Sequence, residues 1–324
     1  MKILITGGAG FIGSNLAEAL LSRDDITYVR VLDDLSTGFR HNINDLIGHP
    51  KFEFVQGDIR DYDTCVKACK GMDIVSHQAA LGSVPRSIKD PITTNAVNIT
   101  GTLNVYTAAK EEGIKKVIFA ASSSTYGDDK TIPKVENKIG NPLSPYAVTK
   151  YVSELYAKVF ADLYDMNFIG LRYFNVFGPK QDPNGAYAAV IPLFMKAALE
   201  GKAPTINGDG SYSRDFTYID NVVEANIQAM QIPVNDKAQN EIYNIAYGKR
   251  TTLNELWSYI KEVSKTAVAA THAKVRMGDV PHSLADISKA RKLLGYGPLF
   301  DVKKGLFYSF EWYKEYYNRK IENC

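Results

Sequence analysis

The chain of 324 residues carries 38 basic and 36 acidic residues, a net charge of +2, with 45% hydrophobic and 23% charged residues. That balance suits a soluble globular protein with room for one large or two modest domains, and gives no electrostatic ground for a nucleic-acid or membrane partner. Cys65, Cys69 and Cys324 form neither a CxxC pair nor a Cys/His cluster, so neither a disulfide framework nor a metal site is expected, and a cytoplasmic setting is.

Residues 2–6 form a short apolar run that leads straight into Gly7-Gly8-Ala9-Gly10-Phe11-Ile12-Gly13. The start runs at once into these glycines, with no sustained apolar region and no small-residue cleavage site, so a signal peptide is not expected. The spacing of Ile12, Leu16, Ala19 and Leu20 then predicts a helix. Strand, glycine loop, helix is the context that gives Gly8-x-Gly10-x-x-Gly13 its meaning: glycines let a pyrophosphate approach the backbone, and the helix N-terminus offers N–H groups and positive potential. A second strand, 28–32, ends in Asp33, twenty residues past Gly13, where a carboxylate can accept from the adenosine ribose hydroxyls. An acid there repels a 2′-phosphate, so NAD is expected rather than NADP.

Strand and helix signals then alternate. Residues 51–56 read as a strand followed by Asp58-Ile59, where an adenine ring can be held, and Asp61 as the cap of a helix to about residue 70. Residues 73–77 read as a strand, 78–87 as a small-residue loop, 93–112 as a helix and 115–121 as a strand ending in Ser122-Ser123-Ser124. Alternation of this kind predicts a Rossmann-type, doubly wound parallel α/β sheet with ligands at the carboxyl ends of its strands. His77 closes a strand without a metal-ligand partner at useful spacing, which predicts a structural hydrogen-bonding role.

Ser144 and Pro145 are an N-cap and a first helical residue, opening a helix to about residue 164. Tyr146 and Lys150 stand four apart on it, one turn from each other. A phenol beside an ammonium can work as a proton-transfer group, provided the tyrosine pKa of about 10 is brought down by roughly 3 units. After a strand at 168–171 and Arg172-Tyr173-Phe174-Asn175 the pattern loosens into helices at about 189–200, 220–231, 253–263, 286–294 and 302–317, with short strand-like pieces between. The expected division is a nucleotide-binding domain at 1–175 and a smaller α/β substrate-binding domain at 176–324, with part of 216–245 returning to the first. The apolar stretch at 186–195 is too short to span a bilayer and contains Pro192. Phe307, Phe310, Trp312, Tyr313 and Tyr316 read as packing for a terminal amphipathic helix.

Together, the glycine loop, Ser122-x-x-x-Tyr126-Gly127, Tyr146-x-x-x-Lys150 and Arg172-Tyr173-Phe174-Asn175 resemble the extended short-chain dehydrogenase/reductases, and within them the nucleotide-sugar 4-epimerases. The resemblance implies bound NAD, a UDP-sugar substrate and a 4-keto intermediate. Tyr146 is then the base at the sugar 4-hydroxyl, Lys150 lowers its pKa and holds the nicotinamide ribose, and Ser122, with Ser123 and Ser124 as neighbouring alternatives, bonds the same hydroxyl. The implied cofactor contacts are Gly7, Gly10, Phe11, Ile12 and Gly13; Asp33, Asp34, Asp58 and Ile59; and Ala79, Ala80, Asn98 and Tyr173, besides Tyr146 and Lys150. The 4,6-dehydratases carry Asp-Glu where this chain has Ser123-Ser124, and decarboxylases of the group carry Glu at the Ser124 position, so epimerisation is favoured over both.

Substrate contacts implied by position are Asn175, Val190 and Asn207, the diphosphate-clamping Arg214 and Arg276, and Asp279. The segment Leu81–Ser87, with Ser83 and Arg86, resembles the sugar-facing loop of epimerases preferring UDP-N-acetylhexosamines. Ser283 stands where epimerases of non-acetylated sugars carry Tyr, which leaves room for a 2-acetamido group. UDP-GlcNAc and UDP-GalNAc are therefore the expected pair, with UDP-glucose/UDP-galactose and UDP-hexuronic acids as alternatives. Arg86 could meet a C6 carboxylate. A dinucleotide-sensing regulator on the same fold would have no need of the Ser–Tyr–Lys set. The family also implies a homodimer built on the helices at 93–112 and 146–164.

Overall fold

The structure is a computed structural model that describes residues 1–185, 188–275 and 280–322. The first half builds one layered unit. Strands β1 (Lys2–Thr6), β2 (Tyr28–Asp33), β3 (Phe52–Gln56), β4 (Ile74–His77), β5 (Lys116–Ser122) and β6 (Asn167–Tyr173) alternate with α1 (Phe11–Leu21), α2 (Tyr62–Cys69), α3 (Val84–Lys89), α4 (Pro91–Asn95), α5 (Thr102–Glu111) and α6 (Pro145–Tyr164). The second half contributes β7 (Val176–Phe177), α7 (Val190–Leu199), β8 (Thr205–Asn207), β9 (Ser213–Arg214), β10 (Thr217–Tyr218) and α8 (Ile219–Gln231). It ends in β11 (Glu241–Ile245), β12 (Thr251–Thr252), α9 (Leu253–Ser264), β13 (Thr271–Ala273), α10 (Ser288–Leu294) and α11 (Val302–Glu322).

Seven strands form the main sheet in the order β11-β6-β5-β4-β1-β2-β3, and every pairing is parallel. Because successive side chains of a strand face opposite ways, Ile3 and Ile5 enter one core with α1 and α8, while Leu4 enters the other with α2 and α5. Both faces are covered, which explains why these strands read as apolar runs and not as alternation. The chain after β6 comes back to this sheet: β11 pairs with β6, and α8 packs on α1. Among the described residues, the remaining pieces include three two-stranded sheets, with α7, α9 and α11 packed together. Among the described residues no helix is long and apolar enough to cross a membrane.

Several boundaries differ from expectation. The loop foreseen at 78–87 ends in α3, whose N-cap Ser83 accepts from the Arg86 N–H at 3.2 Å. The helix foreseen at 93–112 begins at Pro91 and contains a π-helical turn over Ala96–Gly101. Of the terminal aromatics, Tyr313 and Phe310 are buried, whereas Phe307 is half exposed and not part of the core.

His77 has the structural role expected of it. Its Nδ1 lies 2.7 Å from Thr6 Oγ1 and its Nε2 2.9 Å from Thr102 Oγ1. Thr102 donates its own proton to the Asn98 carbonyl at 2.6 Å, so the ring must donate from Nε2 and accept at Nδ1. Burial and the nearby Lys150 charge push the imidazole down to about 3. A histidine neutral in the fold at a pH where it is charged in the unfolded chain makes stability fall as pH drops below about 6.5. Urea unfolding should show wild type losing about 2 kcal/mol between pH 7 and pH 5 through this residue, a component absent from His77→Gln.

Candidate active site

Helix α6 starts as its sequence dictates. Ser144 Oγ accepts from the Ala147 N–H at 3.1 Å, Pro145 follows, and Asp165 closes the helix in the left-handed conformation. The 20-residue helix points Tyr146 and Lys150 at the carboxyl ends of β4, β5 and β6, where they line a cleft of about 610 Å³. The same cleft is lined by Gly7, Gly10, Phe11, Ile12 and Gly13, by Asp33 and Asp34, by Asp58 and Ile59, and by Ala79 and Ala80. Ser83, Arg86, Ser122, Ser123, Tyr173 and Asn175 complete the expected residues in it. Side chains from most of the main-sheet strand ends thus meet in one place.

The glycine loop is built by crowding. A Cβ on Gly13 would sit 2.3 Å from the Gly7 carbonyl oxygen, and one on Gly7, whose φ is +70°, would sit 2.7 Å from the Ala79 backbone. Gly10 caps α1 without any side-chain bond, so the first-turn N–H groups keep their capacity for a ligand. Asp33, 7% exposed, accepts from the N–H groups of Ala9 and Leu35 at 2.9 and 2.8 Å. Burial raises its pKa and these N–H groups oppose the rise. These features, tight backbone, uncapped helix start and a fixed carboxylate at the end of β2, fit a dinucleotide.

Ser122 ends β5 and caps the short turn Ser123–Tyr126; its Oγ accepts from the Ser124 N–H at 3.1 Å and from Ser124 Oγ at 2.9 Å. Ser122 and Tyr146 line the cleft together, and the Ser122 hydroxyl acts to lower the Tyr146 pKa. Ser124 itself supports Ser122 from outside the cleft lining. Lys150 Nζ donates to the Ala120 carbonyl at 2.8 Å, and burial pushes its pKa down to about 8 against the opposing charge of Glu154.

Without NAD the Tyr146 pKa is raised, by burial first, with the Ser122 hydroxyl opposing. The ammonium at i+4 does not reverse the shift; its bond to the Ala120 carbonyl turns it to the strand. The protein without ligands keeps Tyr146 as a phenol.

Other expected residues fall elsewhere. Asn98, expected at the cofactor, is 1% exposed and does not line the cleft. Its amide is spent on Leu81, accepting from the N–H at 2.8 Å and donating to the carbonyl at 3.2 Å, and on Thr149 Oγ1 at 3.0 Å. Val190, Asn207 and Arg214 line a second cavity of about 300 Å³, which shares Asn175, Val176 and Ala189 with the first. Arg214 donates to the Ser213 and Pro281 carbonyls, while Asp215 turns inward to the N–H groups of Tyr247, Gly248 and Ala285. Ser283 lines neither cavity; its N–H donates to the Ser213 carbonyl at 3.1 Å, next to Arg214. Arg276 and Asp279 lie outside the described residues.

Sequence reasoning missed Gln78, which lines the cleft, accepts from Tyr173 Oη at 3.1 Å and donates to Asn226 of α8 at 3.1 Å. Its position just past the end of β4 was the available signal. It also missed Ser36, Thr37 and Gly38 on the loop after Asp33.

Residues 3–246 match the NAD dependent epimerase/dehydratase family. The chain belongs to this family. A putative UDP-glucose 4-epimerase of Methanocaldococcus jannaschii is 40% identical over 96% of this chain and 98% of its own length. Among solved structures, a UDP-N-acetylglucosamine 4-epimerase of Methanobrevibacter ruminantium, in complex with UDP-N-acetylmuramic acid, is 39% identical with a TM-score of 0.91, covering 97% of this chain and 98% of that one. A UDP-glucuronic acid 4-epimerase of Bacillus cereus, in complex with UDP-glucuronic acid and NAD, is 33% identical with a TM-score of 0.90, covering 98% and 100%. NAD is the cofactor of the family, in agreement with the fit of the glycine loop and Asp33.

The raised Tyr146 pKa makes a direct prediction. In ligand-free protein, the difference in tyrosinate absorbance between wild type and Tyr146→Phe should develop only above the ordinary tyrosine range near pH 10; a difference developing near neutrality would contradict the burial argument.

Proposed function

We propose that this protein is an NAD-dependent UDP-sugar 4-epimerase whose substrates are UDP-N-acetylhexosamines, interconverting UDP-GlcNAc and UDP-GalNAc. The observation that carries the reaction is the meeting of Ser122, Tyr146 and Lys150 in one cleft with the glycine loop and Asp33. When bound, NAD+ supplies the hydride acceptor and donor for C4 and a positive charge beside Tyr146. Tyr146 Oη takes the proton of the sugar 4-hydroxyl, Ser122 orients that hydroxyl, and Lys150 supports the phenolate and holds the nicotinamide ribose. The 4-keto sugar would then turn over within the cleft, and Tyr146 would return the proton to its oxygen. The substrate can do this while anchored by its diphosphate. Arg214, a guanidinium on the second cavity, suits that anchoring, with Asn207 and Val190 toward the base and Arg276 and Asp279 as further expected contacts.

Ser123 and Ser124 provide no acid or base for dehydration, which separates this chemistry from the dehydratases. The preference for an acetamido sugar draws on the small Ser283 near Arg214 and on the resemblance of Leu81–Ser87. The relative from Methanobrevibacter, a UDP-N-acetylglucosamine 4-epimerase by name, also supports it. A second reading, a UDP-hexuronic acid 4-epimerase, draws on Arg86 in the cleft.

A homodimer is part of the proposal. Helix α6 exposes Val148, Leu155, Val159 and Leu163, the last 66% accessible, and Ile88 of α3 and Ile92 of α4 are 64% and 82% accessible. Helices α3 and α4 pack against α6, so these side chains are candidates for one apolar face. A second copy would bury it, and light scattering should give twice the chain mass. The double variant Leu155→Glu/Leu163→Glu should run as a monomer.

NMR of UDP-GlcNAc incubated with the enzyme and no added reductant should show UDP-GalNAc appearing. Tyr146→Phe should lower kcat by about 10²–10⁴-fold with NAD still bound; intact turnover would sink the assignment. Ser283→Tyr should depress turnover of UDP-GlcNAc more than that of UDP-glucose, and equal effects on both would reject the acetamido reading.

A further inference from the structure

Lys150 is the buried cation of the cleft, and the charge acting on it comes from one turn further along α6. Glu154 follows at i+4, so both side chains occupy the inward face of the helix. Glu154 is 7% exposed, and both its carboxylate oxygens are taken by Arg172 of β6, from Nε at 2.8 Å and Nη2 at 2.7 Å. The Arg172 side chain is 3% exposed, donates from Nη1 to the Glu136 carbonyl, and lies 4.9 Å over the ring of Tyr126, whose hydroxyl donates to Asn244. The pair is therefore fixed from three sides. Its negative end is the one whose field reaches Lys150.

The other groups around the ammonium do not offer a counter-charge. His77 on β4 is neutral, held there by burial and by Lys150 itself. Tyr146 on α6, Tyr173 on β6 and Tyr106 on α5 are phenols raised by burial. From β5 come only the Ala120 carbonyl and Ser122. Tyr126, beyond Arg172, is likewise raised by burial. A buried ammonium with one carbonyl acceptor tends to shed its proton, and a neutral amine would give Tyr146 no electrostatic support.

We propose that Glu154 and Arg172 are positioning residues for the reaction: the bidentate Arg172 guanidinium fixes the Glu154 carboxylate on the inward face of α6, one turn from Lys150, where its charge supports the ammonium. The reaction part rests on the roles given above to Tyr146 and Lys150. The division of labour follows from desolvation. Burying a lone carboxylate is costly, and the bidentate guanidinium offsets that cost. The same pair bolts α6 to β6, so that charge and position are delivered together.

The test reads Lys150 directly. Ligand-free protein labelled at lysine Cε is titrated by ¹³C NMR, with the Lys150 signal assigned by its loss in Lys150→Met. In Glu154→Gln, and in Glu154→Gln/Arg172→Met, which leaves no unpaired buried charge, the Lys150 pKa should fall by about one unit. The alkaline limb of the kcat profile should fall with it, giving about fivefold lower kcat at pH 8 and little change at pH 6.5. A Lys150 titration unmoved in the folded double variant overturns the inference, whatever the enzyme's activity. A moved titration in a protein whose wild type epimerises no sugar nucleotide supports the electrostatic coupling and rejects the reaction instead.

Discussion

Desolvation of one helical turn is the constraint on which this structure depends. Tyr146 and Lys150 face the cleft, and removal from water opposes both the phenolate and the ammonium. The fold answers with dipoles and fixed charges. The Ser122 hydroxyl acts on the phenol, the Ala120 carbonyl bonds the ammonium, and Glu154, paired behind by Arg172, supplies the field. Without ligands the answer is incomplete, because the Tyr146 pKa remains raised. A phenol this deeply desolvated needs a further positive charge beside it before it ionises.

A second constraint is alignment. The cleft takes groups from β1, β2, β4, β5, β6 and α6, so small shifts between elements would disperse them. Buried polar networks link these elements beneath the cleft. Thr6, His77 and Thr102 join β1, β4 and α5. Asn98 then fastens both backbone groups of Leu81 and reaches Thr149, whose hydroxyl bonds the Tyr146 carbonyl. The π-helical turn over Ala96–Gly101 is where Asn98 sits. The loop of Ala79–Ser83 and the helix of Tyr146 are thereby tied to one another without either side chain of the catalytic turn being used.

Much of this was legible in the sequence because it is local. The β1–loop–α1 unit, Asp33 at the end of β2, and the Ser144-Pro145 start of α6 each depend on residues within about one turn or loop, and propensity and spacing report such things. The unread parts are those where distant segments decide. Nothing near Asn98 announces that Leu81 and Thr149 will consume its amide. The Gln78–Ser87 segment looked like a loop because its small residues gave no periodicity, yet Ser83 and Pro85 start α3 within it. The sign of the Tyr146 shift escaped for the same reason: adjacency of a lysine is visible along the chain, whereas burial depth and the direction in which an ammonium points are not. Ser283 is the sharpest case. Its position in the chain suggested a pocket wall, and its neighbour in space is the Ser213 carbonyl beside Arg214.

That placement alters how sugar selection has to be argued. A residue that lines neither cavity can act on a 2-acetamido group only through the segment it belongs to, and this segment is well anchored. Ser283 and Ala285 are held to Ser213 and Asp215, and Asp215 also gathers the N–H groups of Tyr247 and Gly248. The carboxylate of Asp215 thus fastens together the strand carrying Arg214 and the two loops beside it. Under the proposed reading, selection among sugars runs through the position of this assembly, whose Arg214 lines the second cavity. Tyr146 and Lys150 share none of these contacts: they stand on α6, against the parallel sheet.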